Sequence, residues 1–187
     1  MAGFDSWTPE KAKYDPSRVD WATLHEDLRG LLSTCECAPI LVRLSWHDAG
    51  TFDRADGSGG ARGAQRFPDG ESKHGANAGL AVARGFLQPY QEKHPLVSHA
   101  DLWALAATVA IEHAGGPWVP FRAGRTDIKT AAGCVADGRL PDAAQGASPL
   151  RTVFSRMGWL SSRREVMAAM RSVTSAGSPL TPRNRAP

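Results

Sequence analysis

Apolar positions recur at helical spacing in five stretches of the chain, separated by runs of Gly, Pro and charged residues. From Ser17 to Leu32 they fall at Val19, Ala22, Leu24, Leu28, Leu31 and Leu32, a broad stripe that predicts an amphipathic helix over 17–32. Pro39 and Gly50 bracket the second stretch. Proline opens a helix where a missing N–H costs nothing and glycine closes one, so 39–49 reads as a helix about 15 Å long. His74-Gly75-Ala76-Asn77-Ala78-Gly79-Leu80 opens a third, predicted over 75–87 and stopped by Pro89. Ser98-x-x-Asp101 is a capping-box pattern ahead of Leu102, Leu105, Ala106, Val109 and Ala110; it predicts a helix over 98–114, closed by Gly115-Gly116-Pro117. Ser148-Pro149 is expected to cap a last short helix over 148–157, carrying Leu150, Val153, Phe154 and Met157. No strand-like alternation of useful length and no internal repeat occurs, so the expected fold class is all-α. Three segments are expected: an arm over 1–16 containing Pro9 and Pro16, a helical unit over 17–158, and a Ser/Arg/Pro-rich tail over 159–187 whose composition suits disorder.

The second helix is the unusual one. Arg43 and His47 are four apart and Trp46 is three from Arg43, so all three are expected to project from one side of a short, otherwise apolar helix. Burying an arginine is unfavourable by several kcal/mol unless an anionic or polar group meets it, so that side is expected to line a cavity. Spacing alone also allows a plainer reading, in which the histidine bonds a backbone carbonyl in the core and the arginine is half of an ion pair.

Composition narrows the classes. The chain's 187 residues suffice for one domain with a real core. No apolar run approaches the length of a membrane span, and the start, Met1-Ala2-Gly3-Phe4-Asp5, shows neither a secretory signal nor a myristoylation pattern. The expectation is a cytoplasmic protein without a membrane partner, an organelle remaining open. Cysteines number three, Cys35, Cys37 and Cys134; the odd count fits a reducing compartment, and Cys35-x-Cys37 is too close for an ordinary structural disulfide and lacks the second pair a zinc site needs. The net charge of +3 is uneven, for residues 151–187 hold seven Arg and one acid while the remainder is slightly acidic. Scattered arginines without interleaved aromatics are a poor nucleic-acid signal, so no nucleic-acid partner is expected.

Residues 41–53, Leu-Val-Arg-Leu-Ser-Trp-His-Asp-Ala-Gly-Thr-Phe-Asp, closely resemble the distal helix of class I haem peroxidases, the group of ascorbate peroxidases, cytochrome c peroxidases and catalase-peroxidases. Three further segments follow in that family's order. They are His74-Gly75-Ala76-Asn77, then Gly116-Pro117-x-x-Pro120-Phe121-x-x-Gly124-Arg125-x-Asp127, then Gly138-Arg139-Leu140-Pro141-Asp142-Ala143. The resemblance covers about residues 17 to 158 and implies the distal half of the haem-dependent peroxidase fold.

It also implies chemistry: reduction of hydrogen peroxide by ascorbate or another small reductant, with haem b as cofactor. His47 would be the acid–base catalyst, Arg43 the charge stabiliser, and Asn77 the acceptor of a hydrogen bond from His47. Trp46, Pro141 and Ala143 would lie against the haem. Cys37-Ala38-Pro39 is similar to the ascorbate peroxidases, whose cysteine here lies near bound ascorbate, although the lysine they place two residues earlier is Cys35 in this chain. The resemblance implies a histidine as axial iron ligand later in the chain. None follows His113, and Val173 stands at the aligned position, so no metal ligand is assigned. The expectation is therefore a peroxidase truncated before its proximal ligand, with an exposed proximal-facing surface prone to self-association. The alternative is a non-catalytic remnant acting as a structural or interaction subunit.

Overall fold

The computed structural model describes residues 14–142 and 146–159. The arm ahead of Tyr14, the tail beyond Trp159, Ala143 and Val173 lie outside the described residues. Five α-helices are present: α1 (Trp21–Thr34), α2 (Ala38–Ala49), α3 (Leu80–Lys93), α4 (His99–His113) and α5 (Ala147–Arg156), with no strand among the described residues. The fold is all-α, as the sequence pattern implied. Among the described residues no helix is long and apolar enough to cross a membrane.

α4 is the central element. Leu102, Leu105, Ala106, Val109 and Ala110 are all buried as the pattern required, and Trp103 and Ala107 bury with them, so α4 is covered nearly all round. α2 packs along it most extensively and α1 next. α1 presents Leu24, Leu28 and Leu32, one residue per turn, while Ala22 points to solvent. A smaller second cluster, Val153, Phe154 and Met157 of the α5 region, closes on Trp46 and Leu150.

Five expectations need correction, each for a local reason. α1 starts at Trp21 rather than Ser17: Asp15 accepts from the Ser17 amide and holds a separate 3-10 turn at Pro16–Arg18, Val19 is extended, and Asp20 then caps the true helix through the Thr23 amide. The third helix does not begin at Gly75. Gly75–Asn77 is a 3-10 turn, and α3 starts only after Gly79, whose φ of 81° is the left-handed region that glycine adopts without strain. At its far end α3 runs through Pro89 to Lys93, because Gly85 and Pro89 lie on the exposed side, where the Gly85 carbonyl that loses its donor faces water. Only half of the predicted capping box forms. Ser98 accepts from the Asp101 amide, but the Asp101 carboxylate turns to the loop at Gly124 and Arg125 instead. α5, finally, is capped by Gly146 with no side-chain bond, and Ser148 lies inside its first turn.

Candidate active site

α2 and the turn before α3 meet through polar side chains. The Arg43 guanidinium donates to the Ala76 carbonyl at 2.8 Å and to the Ala78 carbonyl at 3.1 Å, so it brackets Asn77 from both sides. His47 Nδ1 lies 2.9 Å from Asn77 Oδ1. Asn77 is itself buried and fixed, since its Nδ2 donates to the Glu71 carbonyl at 2.8 Å. With the amide nitrogen committed to Glu71, the amide oxygen faces the imidazole and Nδ1 must carry the proton. His47 Nε2 is then a lone-pair acceptor, and no protein group among the described residues bonds it. Burial holds the imidazole below its usual 6.5; the Asn77 bond pulls the other way, and the Arg43 charge lowers it further. The result is a neutral, oriented base beside a fixed cation. Arg43 bonds two backbone carbonyls and has no carboxylate partner among the described residues.

Trp46 has a packing partner of its own. Its ring stacks on Phe154 with centroids 5.4 Å apart and planes 29° apart, tying α2 to α5. Pro141 lies in the loop just past Leu140, and Leu140 abuts the end of α2 so closely that a Cβ on Gly50 would meet its side chain at 2.8 Å and the Trp46 indole at 3.3 Å. Cys37 is buried in the core at the N-terminus of α2, away from solvent.

The residues that hold this arrangement were largely unannounced by the sequence pattern. Asp48 is fully buried on the other side of α2 and accepts from the Gly63 amide at 3.0 Å and the Ala64 amide at 3.2 Å. Burial raises its carboxyl to about 7, the two amides lower it, and Glu71 and Asp127 raise it again. Gly63 is itself obligatory there, with φ 63° and no room for a Cβ, which would fall 2.7 Å from the Asp127 carboxylate. Glu71 accepts from the Val135 amide at 3.1 Å while its backbone supports Asn77, and burial raises its carboxyl. At the end of α2, Arg156 of α5 donates to the carbonyls of Gly50, Thr51, Phe52 and Arg139, and Arg139 donates to Thr51 and Ser58. Asp48 and Arg139 stand inside motif segments and could have been singled out; nothing in the local sequence marks Glu71 or Arg156.

The peroxidase family model matches residues 24–179, most of the chain and past Trp159 into the tail. The chain belongs to the peroxidase family. It is 49% identical over 132 residues to a probable L-ascorbate peroxidase 3, peroxisomal, of Oryza sativa subsp. japonica, a match covering 71% of this chain and 44% of that protein. It is 51% identical over 121 residues to the mitochondrial cytochrome c peroxidase of Neurospora crassa, covering 65% and 34%. With L-ascorbate peroxidase 5, peroxisomal, of Arabidopsis thaliana it shares 49% over 142 residues, 76% of this chain and 48% of the other. The chain thus spans about half or less of the length of the curated relatives it matches.

The family implies haem, and the donor set tests the fit. A neutral imidazole and a guanidinium, whose Nε2 and charge meet no partner acid or donor among the described residues, suit the peroxide-binding side of that group. In this sequence no histidine follows His113, so the residues present speak only to that side of the group.

Proposed function

We propose that this chain carries the peroxide-cleaving half-site of a haem peroxidase. The observation that supports it most is the hydrogen-bond chain from His47 through Asn77 to the Glu71 carbonyl, which fixes one tautomer beside Arg43. Cleaving a peroxide O–O bond requires a proton to leave one oxygen and arrive at the other while negative charge builds on the departing one. His47 Nε2 takes the first proton and returns it to the second oxygen, which a neutral imidazole with a depressed pKa does readily. Arg43, held by two carbonyls, keeps its charge aimed at the departing hydroxide without reorganising. Trp46 and the loop at Pro141 would border the haem face. Haem, when bound, supplies the iron and the electrons. Hydrogen peroxide is the oxidant, and ascorbate or another small reductant the donor, in keeping with the names of the relatives. Those relatives are named for peroxisomes and mitochondria, so the cytoplasmic expectation for this chain is a proposal too.

The test is stopped-flow consumption of peroxide by the chain supplied with haem, and with imidazole as the axial ligand it lacks. His47→Ala should slow the reaction by about 10²–10⁴-fold. Equal rates in parent and variant would overturn the reading.

Exposed apolar side chains favour a second reading, in which the chain is a non-catalytic structural or interaction subunit. Trp118 and Trp159 are 73% and 61% exposed, large apolar side chains of the kind that promote association. On this reading the chain self-associates, binds a hydrophobic dye, and gives no stoichiometric absorption band on haem titration.

A further inference from the structure

Cys35 and Cys37 occupy the connection between α1 and α2. Cys35 ends α1, its amide donating to the Leu31 carbonyl at 3.0 Å, and Cys37 precedes α2, its amide donating to the Cys35 carbonyl at 2.8 Å. A carbonyl bonded to the amide two residues on is a three-residue γ-turn, which folds residues 35–37 into a tight bend. Two fully extended residues span roughly 6.6–7.2 Å. The bend draws the two Cα atoms inside that separation, toward the range of about 4.4–6.8 Å that a disulfide bridges. Both side chains pack on the same core, Cys37 buried and Cys35 only half-buried, so a small oxidant reaches Cys35 from solvent. The Cys37 thiol is pushed up to about 11, first by burial and then by the neighbouring Cys35. Both are free thiols, and neither contributes to the Arg43–His47–Asn77 arrangement.

We propose that Cys35 and Cys37 form a dithiol site that hydrogen peroxide oxidises to a disulfide across Glu36 and that thiol reductants reopen. The Cys35 sulfur attacks one peroxide oxygen; the O–O bond breaks, hydroxide leaves and takes up a proton as water, and Cys35 becomes a sulfenic acid. The Cys37 sulfur then attacks the Cys35 sulfur; the S–S bond forms, the S–O bond breaks, and the departing hydroxide leaves as water with the Cys37 proton. Two thiols lose two electrons and one peroxide becomes two waters. A ring closed over so few residues is strained, and strained disulfides are the readily reduced ones. The site needs no haem, so it stands or falls apart from the proposed function. Because Cys37 is the residue from which α2 starts, closure would reshape the entry to the helix that carries Arg43 and His47.

The haem-free full chain is reduced, exposed to graded hydrogen peroxide, digested with trypsin and weighed by mass spectrometry. The tryptic peptide Gly30 to Arg43 contains Cys35 and Cys37 and not Cys134. It should lose two hydrogens, about 2 Da, without prior cross-linking of chains. Free thiols should fall from three to one, and dithiothreitol should restore all of them. Cys134→Ser should keep the two-hydrogen loss, whereas Cys35→Ser should abolish it and leave Cys37 thiol intact. Gain of oxygen on that peptide with no two-hydrogen loss, or a cross-link between chains in its place, would overturn the proposal. The parent peptide alone decides the matter if Cys35→Ser does not fold.

Discussion

Two sets of polar groups lie within this fold, and they are bound in opposite ways. Arg43, His47 and Asn77 are held from behind by backbone carbonyls and an amide, which leaves the imidazole Nε2 and the charge of Arg43 to face outward. Asp48, Glu71, Asp101 and Asp127 instead accept N–H groups from distant parts of the chain. Asp101 alone takes the Tyr14 hydroxyl at 2.6 Å, the Gly124 amide at 2.6 Å, the Arg125 amide at 3.2 Å and the Arg125 guanidinium at 2.9 Å. Asp127 takes the His99 and Ala100 amides, satisfying N–H groups that open α4. In the first set the fold keeps functional groups available for a ligand. In the second it uses the carboxylates to fasten irregular chain. Removing a member of the first should affect chemistry with little effect on stability, and removing a member of the second should do the reverse.

The largest expected effect belongs to the first set. In the supplemented protein His47→Ala should cut the rate with peroxide by about 10²–10⁴-fold while leaving the melting temperature within a degree or two of the parent's. A large drop in melting temperature would mean that the imidazole is a structural member after all. Arg43→Lys should be milder in rate, since lysine keeps the charge and loses the planar fork of donors.

Next comes Asp101→Ala. The carboxylate is fully buried, and its removal strands two amides, a phenol and a guanidinium; urea unfolding should show a loss of about 3–5 kcal/mol. A loss under about 1 kcal/mol, the worth of an exposed pair, would erase the distinction between the two sets.

That Arg43, His47 and Asn77 belong together could be read from the sequence because they sit on one short helix and one following turn, where spacing and motif order carry the information. The carboxylate framework could not be found that way. Asp101 reads locally as a capping partner, yet its carboxylate finds Tyr14, 87 positions earlier, and the loop 23 and 24 positions later. Spacing placed Trp46 with Arg43 and His47, but its stacking on Phe154 of α5 is a contact that spacing cannot supply. Helix existence was readable in every case, while helix ends were lost to Asp15, Asp20 and Gly79, whose local bonds and dihedrals outweigh apolar periodicity.

Acidity divides the carboxylate set itself. Asp48 has its carboxyl raised from 3.8 to about 7, so the folded chain binds a proton there that the unfolded chain has already released. Its contribution to stability is therefore fully present below about pH 3.8 and lost as pH rises toward 7, with a slope of at most about 1.4 kcal/mol per pH unit. Asp127 runs the other way. Burial raises it, but the His99 side chain and the Ala100 and His99 amides outweigh burial and hold it below the usual value, so its contribution fades as acid protonates it. Urea midpoints between pH 4.5 and 8 should decline less steeply with rising pH in Asp48→Asn than in the parent; identical profiles would remove Asp48 from the titrating framework.

The smallest effect is spectroscopic. The Arg43 charge lowers the His47 pKa, so Arg43→Gln should move the imidazole proton resonances of His47 to a higher midpoint, by less than about one unit. An unmoved midpoint would mean that cation and base do not sense one another.

The proline inside α3 has a consequence for motion. Pro89 has no N–H to give Gly85, so one rung of the helical ladder is missing on its outer side, while Ala83 and Leu87 are anchored in the core within. In deuterated water the helix should therefore not exchange as one unit. Amides beyond the gap, from Tyr90 to Lys93, should open as a separate and faster group than those from Ala83 to Leu87, which makes α3 a firm inner turn leading into a loosely hinged end.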